Sequence, residues 1–133
     1  MPVYRYDHVH LRSPDPEATA RFFGTMFGAE VVRGTYAPGT FYPGQSRVYV
    51  KLGGQTVLIA PPHHAERTGA EPCFPYFGLE HIGLTVDDID AAVADLRAKG
   101  ADIAVGPMDY SAGTRLAFIR GPEGVMVEIV QRR

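Results

Sequence analysis

Tyr6-Asp7-His8-Val9-His10-Leu11, near the start of the chain, is answered by Leu79-Glu80-His81-Ile82-Gly83-Leu84 in its second half. Each stretch places a histidine where a strand begins and then runs into an aspartate, Asp15 or Asp88, that heads residues of helical spacing. Those helix-like stretches end near Phe27-Gly28-Ala29-Glu30 and at Lys99-Gly100-Ala101-Asp102. The histidines stand 73 positions apart and the closing glycines 72. A third echo sets Gly54-Gln55-Thr56-Val57-Leu58-Ile59 against Gly124-Val125-Met126-Val127-Glu128-Ile129 at an offset of 70. The chain therefore reads as a duplication in which each half contributes a ligand-type residue.

Composition bounds what such a duplication can be. With 133 residues and 45% hydrophobic content, the chain is long enough for one domain with a real core. Its net charge of −2 comes from 13 basic and 15 acidic residues that are well mixed, which recommends neither nucleic acid nor a charged tail. The apolar runs are far short of a membrane span, and the first five residues lack the apolar centre of a signal peptide. The single cysteine, Cys73, has no internal disulfide partner, so the expected location is a reducing cytoplasm.

Periodicity and punctuation predict the elements. Residues 5–12 alternate as a strand, with Val9 and Leu11 on one side and Tyr6, His8 and His10 on the other. Asp15 is a helix N-cap followed by Pro16 in the first turn, and Phe22, Phe23, Met26 and Phe27 form the apolar stripe that Gly28 closes. In the second half Asp88 caps a helix carrying Ile89, Ala92, Val93 and Leu96, which Gly100 ends. Residues 47–52 and 55–60 form a hairpin about Gly53-Gly54, and residues 114–120 and 125–130 form a closing hairpin. One short strand is expected near residues 29–33 and another near 102–105. The fold class is α+β: two tandem βαβββ modules, about 4–62 and 77–133, joined by a Pro-rich linker at 63–76. The irregular residues 34–44, with Tyr36, Phe41 and Tyr42, read as a pocket-covering loop.

Strand faces point to chemistry. The aliphatic sets Val9/Leu11, Ile82/Leu84/Val86 and Val125/Val127/Ile129 need cover from a helix. The opposite sets contain His8, His10, His81, Gly83, Met126 and Glu128, which are expected to line one concave surface. Imidazole nitrogens together with a carboxylate suit a divalent metal.

At these residues the sequence resembles the vicinal oxygen chelate superfamily, which includes glyoxalase I, methylmalonyl-CoA epimerase, extradiol dioxygenases, and the fosfomycin and bleomycin resistance proteins. The Asp-His-Val and Glu-His-Ile openings, the Asp-led helices and the stretch Arg120-Gly-Pro-Glu-Gly-Val-Met-Val-Glu128-Ile carry the resemblance. It covers essentially the whole chain and is most specific in the second half. It implies a cupped mixed sheet around one divalent ion (Fe, Ni, Co, Zn or Mn), frequent homodimers, and metal ligands at His8, His81 and Glu128.

The remaining ligand of the family departs from the pattern. Aligning Gly54 with Gly124 sets Leu58 opposite Glu128, whereas aligning on the following proline sets Val57 there, and neither side chain coordinates a metal. His10, on the face of His8, is the favoured substitute, as ligand or as acid/base; Gln55 and the His63-His64 pair are weaker candidates. Two histidines and a carboxylate leave positions open for substrate oxygens. A metal so held suits glyoxalase-like lyase or isomerase chemistry on vicinal oxygens through a stabilised enediolate, with His10 and Glu128 as the catalytic pair. An Fe(II) extradiol-type dioxygenase and a metal-free, ligand-sequestering protein of the bleomycin-resistance kind stand as alternatives. Arg115, Tyr49 and Tyr110 are candidate substrate contacts, Arg115 through bidentate grip of a carboxylate. Arg12 and Arg47 read first as surface residues. The expected partner is a small molecule, not nucleic acid or membrane, with a homodimer implied by the resemblance.

Overall fold

A computed structural model describes residues 1–63 and 67–133. The chain forms two compact units, Met1–Gly69 and Ala70–Arg133, each with its own sheet and helix. His64 lies outside the described residues.

The first unit runs β1 (His8–Arg12), α1 (Pro16–Phe27), β2 (Glu30–Thr35), β3 (Ser46–Leu52) and β4 (Gln55–Ala60). Helix α1 starts where the sequence dictates: the Asp15 carboxylate accepts the Ala18 N–H at 3.1 Å, and Pro16 sits in the first turn, where its missing N–H costs nothing. It stops at Gly28, whose left-handed backbone (φ 66) lets its N–H bond the Gly24 carbonyl. The helix lays Ala20 and Phe23 on Val48, Val50, Leu52, Val57 and Ile59, all buried. Each large side chain so covered contributes about 1.5–3 kcal/mol of transfer free energy. Sheet order is β1-β4-β3-β2, with β1 parallel to β4 and the other pairs antiparallel.

The second unit repeats the plan with β5 (His81–Thr85), α2 (Ile89–Ala98), β6 (Asp102–Ser111), β7 (Thr114–Arg120) and β8 (Met126–Arg132). Its order, β5-β8-β7-β6, again pairs the opening strand in parallel with the closing one. Asp88 accepts the Ala91 N–H at 3.0 Å, and Ile89, Val93 and Leu96 join Ala117, Ile119, Val127 and Ile129 in the core. Each unit is thus a βαβββ module with a mixed sheet, and the fold is α+β. Among the described residues no helix is long and apolar enough to cross a membrane.

Two elements differ from the expectation. Strand β1 begins at His8, not at residue 5, and its first pairing on the parallel strand β4 is with Thr56. Strand β6 continues to Ser111 instead of stopping near Val105. The register with β7 shifts between Val105 and Met108, and that irregularity absorbs Gly106 and Pro107 before pairing resumes. Gly106 has φ 80, and a Cβ there would lie 2.6 Å from the Leu116 carbonyl oxygen. Gly39 has a similar φ of 87 but open space around it. Gly106→Ala should therefore lower stability by about 1–3 kcal/mol more than Gly39→Ala, read from urea unfolding midpoints. Equal losses would show that backbone strain alone acts at Gly106.

Candidate metal and substrate site

The second unit brings two of the expected ligands into contact. His81 and Glu128 start from adjacent strands: His81 is level with Met126 and Gly83 with Glu128, so the glutamate stands diagonally from the histidine on the same face. His81 Nε2 lies 2.9 Å from Glu128 Oε2, with side-chain exposures of 31% and 17%. An imidazole nitrogen and a carboxylate oxygen turned on each other at this distance share a proton or a cation. The opposite ring nitrogen, Nδ1, lies 3.0 Å from Glu80 Oε1. Gly83 leaves the space beside Glu128 open, since a Cβ there would come no closer than 3.8 Å to Oε2. Phe118, level with Glu128 on β7, stands edge-on to the His81 ring at 5.0 Å between centroids. Met126 shares this face but is 1% exposed, so it packs as core and does not line an open surface.

In the first unit His8 holds the position that His81 holds in the second. Its Nδ1 lies 2.5 Å from Asp7 Oδ2. Both repeat histidines thus engage Nδ1 with the carboxylate of the preceding residue, which fixes the ring and leaves Nε2 as the outward donor. A carboxylate behind an imidazole is the usual support of a metal-binding histidine. By donor type, the His8 imidazole in the first unit and the His81–Glu128 pair in the second are each of the kind a divalent ion takes. Among the described residues, neither unit by itself gathers three such side chains around one point.

Register resolves the alignment of the missing ligand. His10 is level with Leu58 and Leu58 with Tyr49, whereas in the second unit Gly83 is level with Glu128 and Glu128 with Phe118. Leu58 is the counterpart of Glu128. Val57 is buried on the helix side, and Gln55, exposed at the hairpin, belongs to the same alternate set as Val57. The row Gly83–Glu128–Phe118 becomes His10–Leu58–Tyr49. At one level of the sheet, the first unit thus carries an imidazole on its opening strand where the second carries a carboxylate on its closing strand. His10 and His8 share a face with their rings 6.4 Å apart. Partial burial, then the charges of Arg12 and His8, hold the pKa of His10 below the ordinary imidazole value.

The remaining candidates are distributed as follows. Tyr49 lies under the Arg47 guanidinium, whose Cζ is 4.9 Å from the ring centroid. Tyr110 is 72% exposed at the mouth of a cavity of about 630 Å3 that His81, Phe118, Glu128 and Arg132 also line. Arg115 bonds Asp90 at 2.9 Å and Asp109 at 3.1 Å, on the helix-side set of β7 and away from Glu128. Its charge is thus already answered by two carboxylates. His63 stacks on Phe41 at 4.3 Å and lies 3.2 Å from the Tyr42 hydroxyl, within a cavity of about 880 Å3 in the first unit. Sequence reasoning missed Asp7 and Glu80 as supports, although the repeated acid–histidine pair was there to be read. It also missed Tyr42, 8% exposed, as the anchor of that cavity.

Comparison with known proteins agrees with this architecture. The model of the Glyoxalase/Bleomycin resistance protein/Dioxygenase superfamily matches residues 5–129. A putative lactoylglutathione lyase of Brassica oleracea var. gemmifera is 28% identical over 132 residues, covering 96% of this chain and 44% of that protein. The chain therefore spans less than half the length of that plant relative. Mouse mitochondrial methylmalonyl-CoA epimerase is 32% identical, covering 96% of this chain and 72% of the epimerase. The crystal structure of a glyoxalase family protein from Enterococcus faecalis superposes with a TM-score of 0.72 at 25% identity, covering 96% of this chain and 97% of that one. With its paired βαβββ units and its repeated acid–histidine openings, the chain belongs to the Glyoxalase/Bleomycin resistance protein/Dioxygenase superfamily.

Proposed function

We propose that the protein is a divalent-metal-dependent enzyme of lyase or isomerase type acting on a small molecule with two adjacent oxygens. His8, His81 and Glu128 are its ligands, and His10 supplies the donor that Leu58 cannot. The observation that carries this reading is the His81 Nε2–Glu128 Oε2 approach, backed by a carboxylate behind each repeat histidine. Kinship with lactoylglutathione lyases and methylmalonyl-CoA epimerases, by the names those relatives bear, supports the lyase or isomerase class.

A divalent ion in such a site polarises substrate oxygens and lowers the cost of charge developing on them. The chain's own residues do the rest. Asp7 and Glu80 orient the two imidazoles and keep Nε2 as the donor in each. Glu128, half-buried beside Phe118, is the carboxylate that accepts a proton from the carbon next to the held oxygens and returns it. Phe118, level with Glu128 and edge-on to the His81 ring, keeps water from that carboxylate with apolar surface.

Metal titration of chelator-treated protein tests the ligand set. His81→Ala should weaken affinity by at least about 10-fold, the smaller end of what even a supporting residue commands. Undiminished affinity would remove His81 from the site. Turnover restored by Ni, Co, Zn or Mn under nitrogen supports lyase or isomerase chemistry, and oxygen uptake with catechols would replace it with dioxygenase chemistry.

The displaced donor has its own test. His10→Ala should also lower metal affinity by about 10-fold or more, and the double exchange His10→Gly with Leu58→Glu, which copies the second unit into the first, should recover most of the loss. Unchanged affinity in His10→Ala, with turnover reduced, would make His10 a proton-transfer residue instead of a ligand.

A further inference from the structure

We propose that residues 71–76 brace the His81 imidazole for its cation, with Phe74 and Tyr76 as the positioning residues. The second unit then offers a preset pair of donors, while His8 of the first unit adjusts to the ion. As a statement about metal binding this rests on the function proposed above, and as a statement about the ring it stands without a metal. The segment contains no helix or strand, and of residues 71–79 only Phe74 and Tyr76 are part-buried. In a stretch without strand pairing, that burial comes from side-chain contacts beyond it.

Two routes lead from the segment to the same ring. The Phe74 ring lies 5.4 Å between centroids from Phe118, which stands edge-on to His81 at 5.0 Å. Tyr76 donates its hydroxyl to the Glu80 carbonyl at 2.9 Å, and the Glu80 carboxylate lies 3.0 Å from His81 Nδ1. The polar route holds one ring nitrogen. The aromatic route opposes rotation of the imidazole about its Cβ–Cγ bond, a torsion that is otherwise broad. A third contact anchors the segment itself: a Cβ on Gly124 would lie 2.8 Å from the Pro72 carbonyl oxygen. Residue 72 thus crosses the β7–β8 turn at a distance that only glycine leaves open.

The first unit is not braced in this way. At the 73-residue offset of the two histidines, Phe74 and Tyr76 correspond to Met1 and Val3, and both of those are exposed. The Asp7 side chain behind His8 is 90% exposed, against 27% for Glu80 behind His81. A carboxylate so open to water is screened and weakly held, so Asp7 restrains its histidine less than Glu80 does. In the second unit Glu128 Oε2 already stands 2.9 Å from His81 Nε2, so two donors face one point before any ion arrives. Outer partners of a metal-binding histidine command about 10–100-fold in affinity, and behind His81 they continue through Tyr76 and Phe74.

Carbon-13 relaxation of the histidine Cε1–Hε1 bonds in metal-free protein, with cobalt titration beside it, tests the proposal. In the unaltered protein the His81 ring should be about as ordered as rigid backbone, with an order parameter near roughly 0.85, and the His8 ring less ordered. Tyr76→Phe removes one oxygen and Phe74→Leu removes the ring. Each should lower the His81 value toward the roughly 0.6 of mobile groups, leave His8 as it was, and weaken cobalt binding by about 10-fold. Phe74→Tyr, which keeps the ring, should restore both readings. If Phe74→Leu fails to fold, seen in its thermal melt, Tyr76→Phe alone decides. Equal order in the two rings of the unaltered protein would overturn the proposal. So would Tyr76→Phe with His81 order or cobalt affinity unchanged, whatever its melting temperature. A protein that binds no cobalt at all would remove the ligand set proposed above, and ring order would still decide whether His81 is braced.

Discussion

Parallel pairing of the opening strand with the closing strand, β1 with β4 and β5 with β8, is the constraint on which the rest of each unit depends. A parallel pair cannot be closed by a tight turn, so a helix and two further strands must intervene, and α1 and α2 serve as those crossovers. The helices cover one face of each sheet with Phe23 or with Val93 and Leu96. The other face is left to polar and aromatic side chains. Register then fixes which distant residues meet: His81 with Glu128 across 47 positions of sequence, and His10 with Leu58 across 48.

The same register shows what duplication preserved and what it exchanged. The histidine that opens each unit is kept, together with the carboxylate behind it. One level further along, glycine and glutamate in the second unit are replaced by histidine and leucine in the first. Gly83 makes room for Glu128, whereas in the first unit the His10 imidazole stands beside the apolar Leu58 at that level. The exchange also brings apolar surface to the first unit, where Leu58 joins Tyr36, Phe41 and Tyr42 around a chamber. At this level the first unit thus presents an apolar wall where the second presents a carboxylate.

The sequence made much of this legible because its signals are local. Aspartate caps, the glycine that ends α1, the Gly53-Gly54 hairpin and period-two alternation all act within a few residues, and the caps at Asp15 and Asp88 stand where spacing predicts them. Choosing Leu58 over Val57 as the counterpart of Glu128 was not possible from the sequence, since a shift of one residue moves a side chain to the other face and only strand register decides it. The length of β6 was hidden by Gly106 and Pro107, which read as a stop yet sit in an irregular stretch that lets pairing resume. Arg12 read as a surface residue because its partner, Tyr42, lies 30 positions away in a loop of no regular spacing. Arg115 read as a substrate contact because nothing in its neighbourhood of sequence announces Asp90.

The central proposal is that a divalent ion is held with three imidazoles, with His10 supplying the donor that Leu58 cannot. X-ray absorption at the metal edge of the cobalt- or zinc-loaded protein counts those rings directly, because imidazole carbons beyond the bound nitrogen scatter in a characteristic way. The account predicts three imidazoles and at least one oxygen donor per metal, with nitrogen at about 2.0–2.1 Å for zinc. A protein that retains no metal, or a metal carrying only two imidazoles, would contradict it.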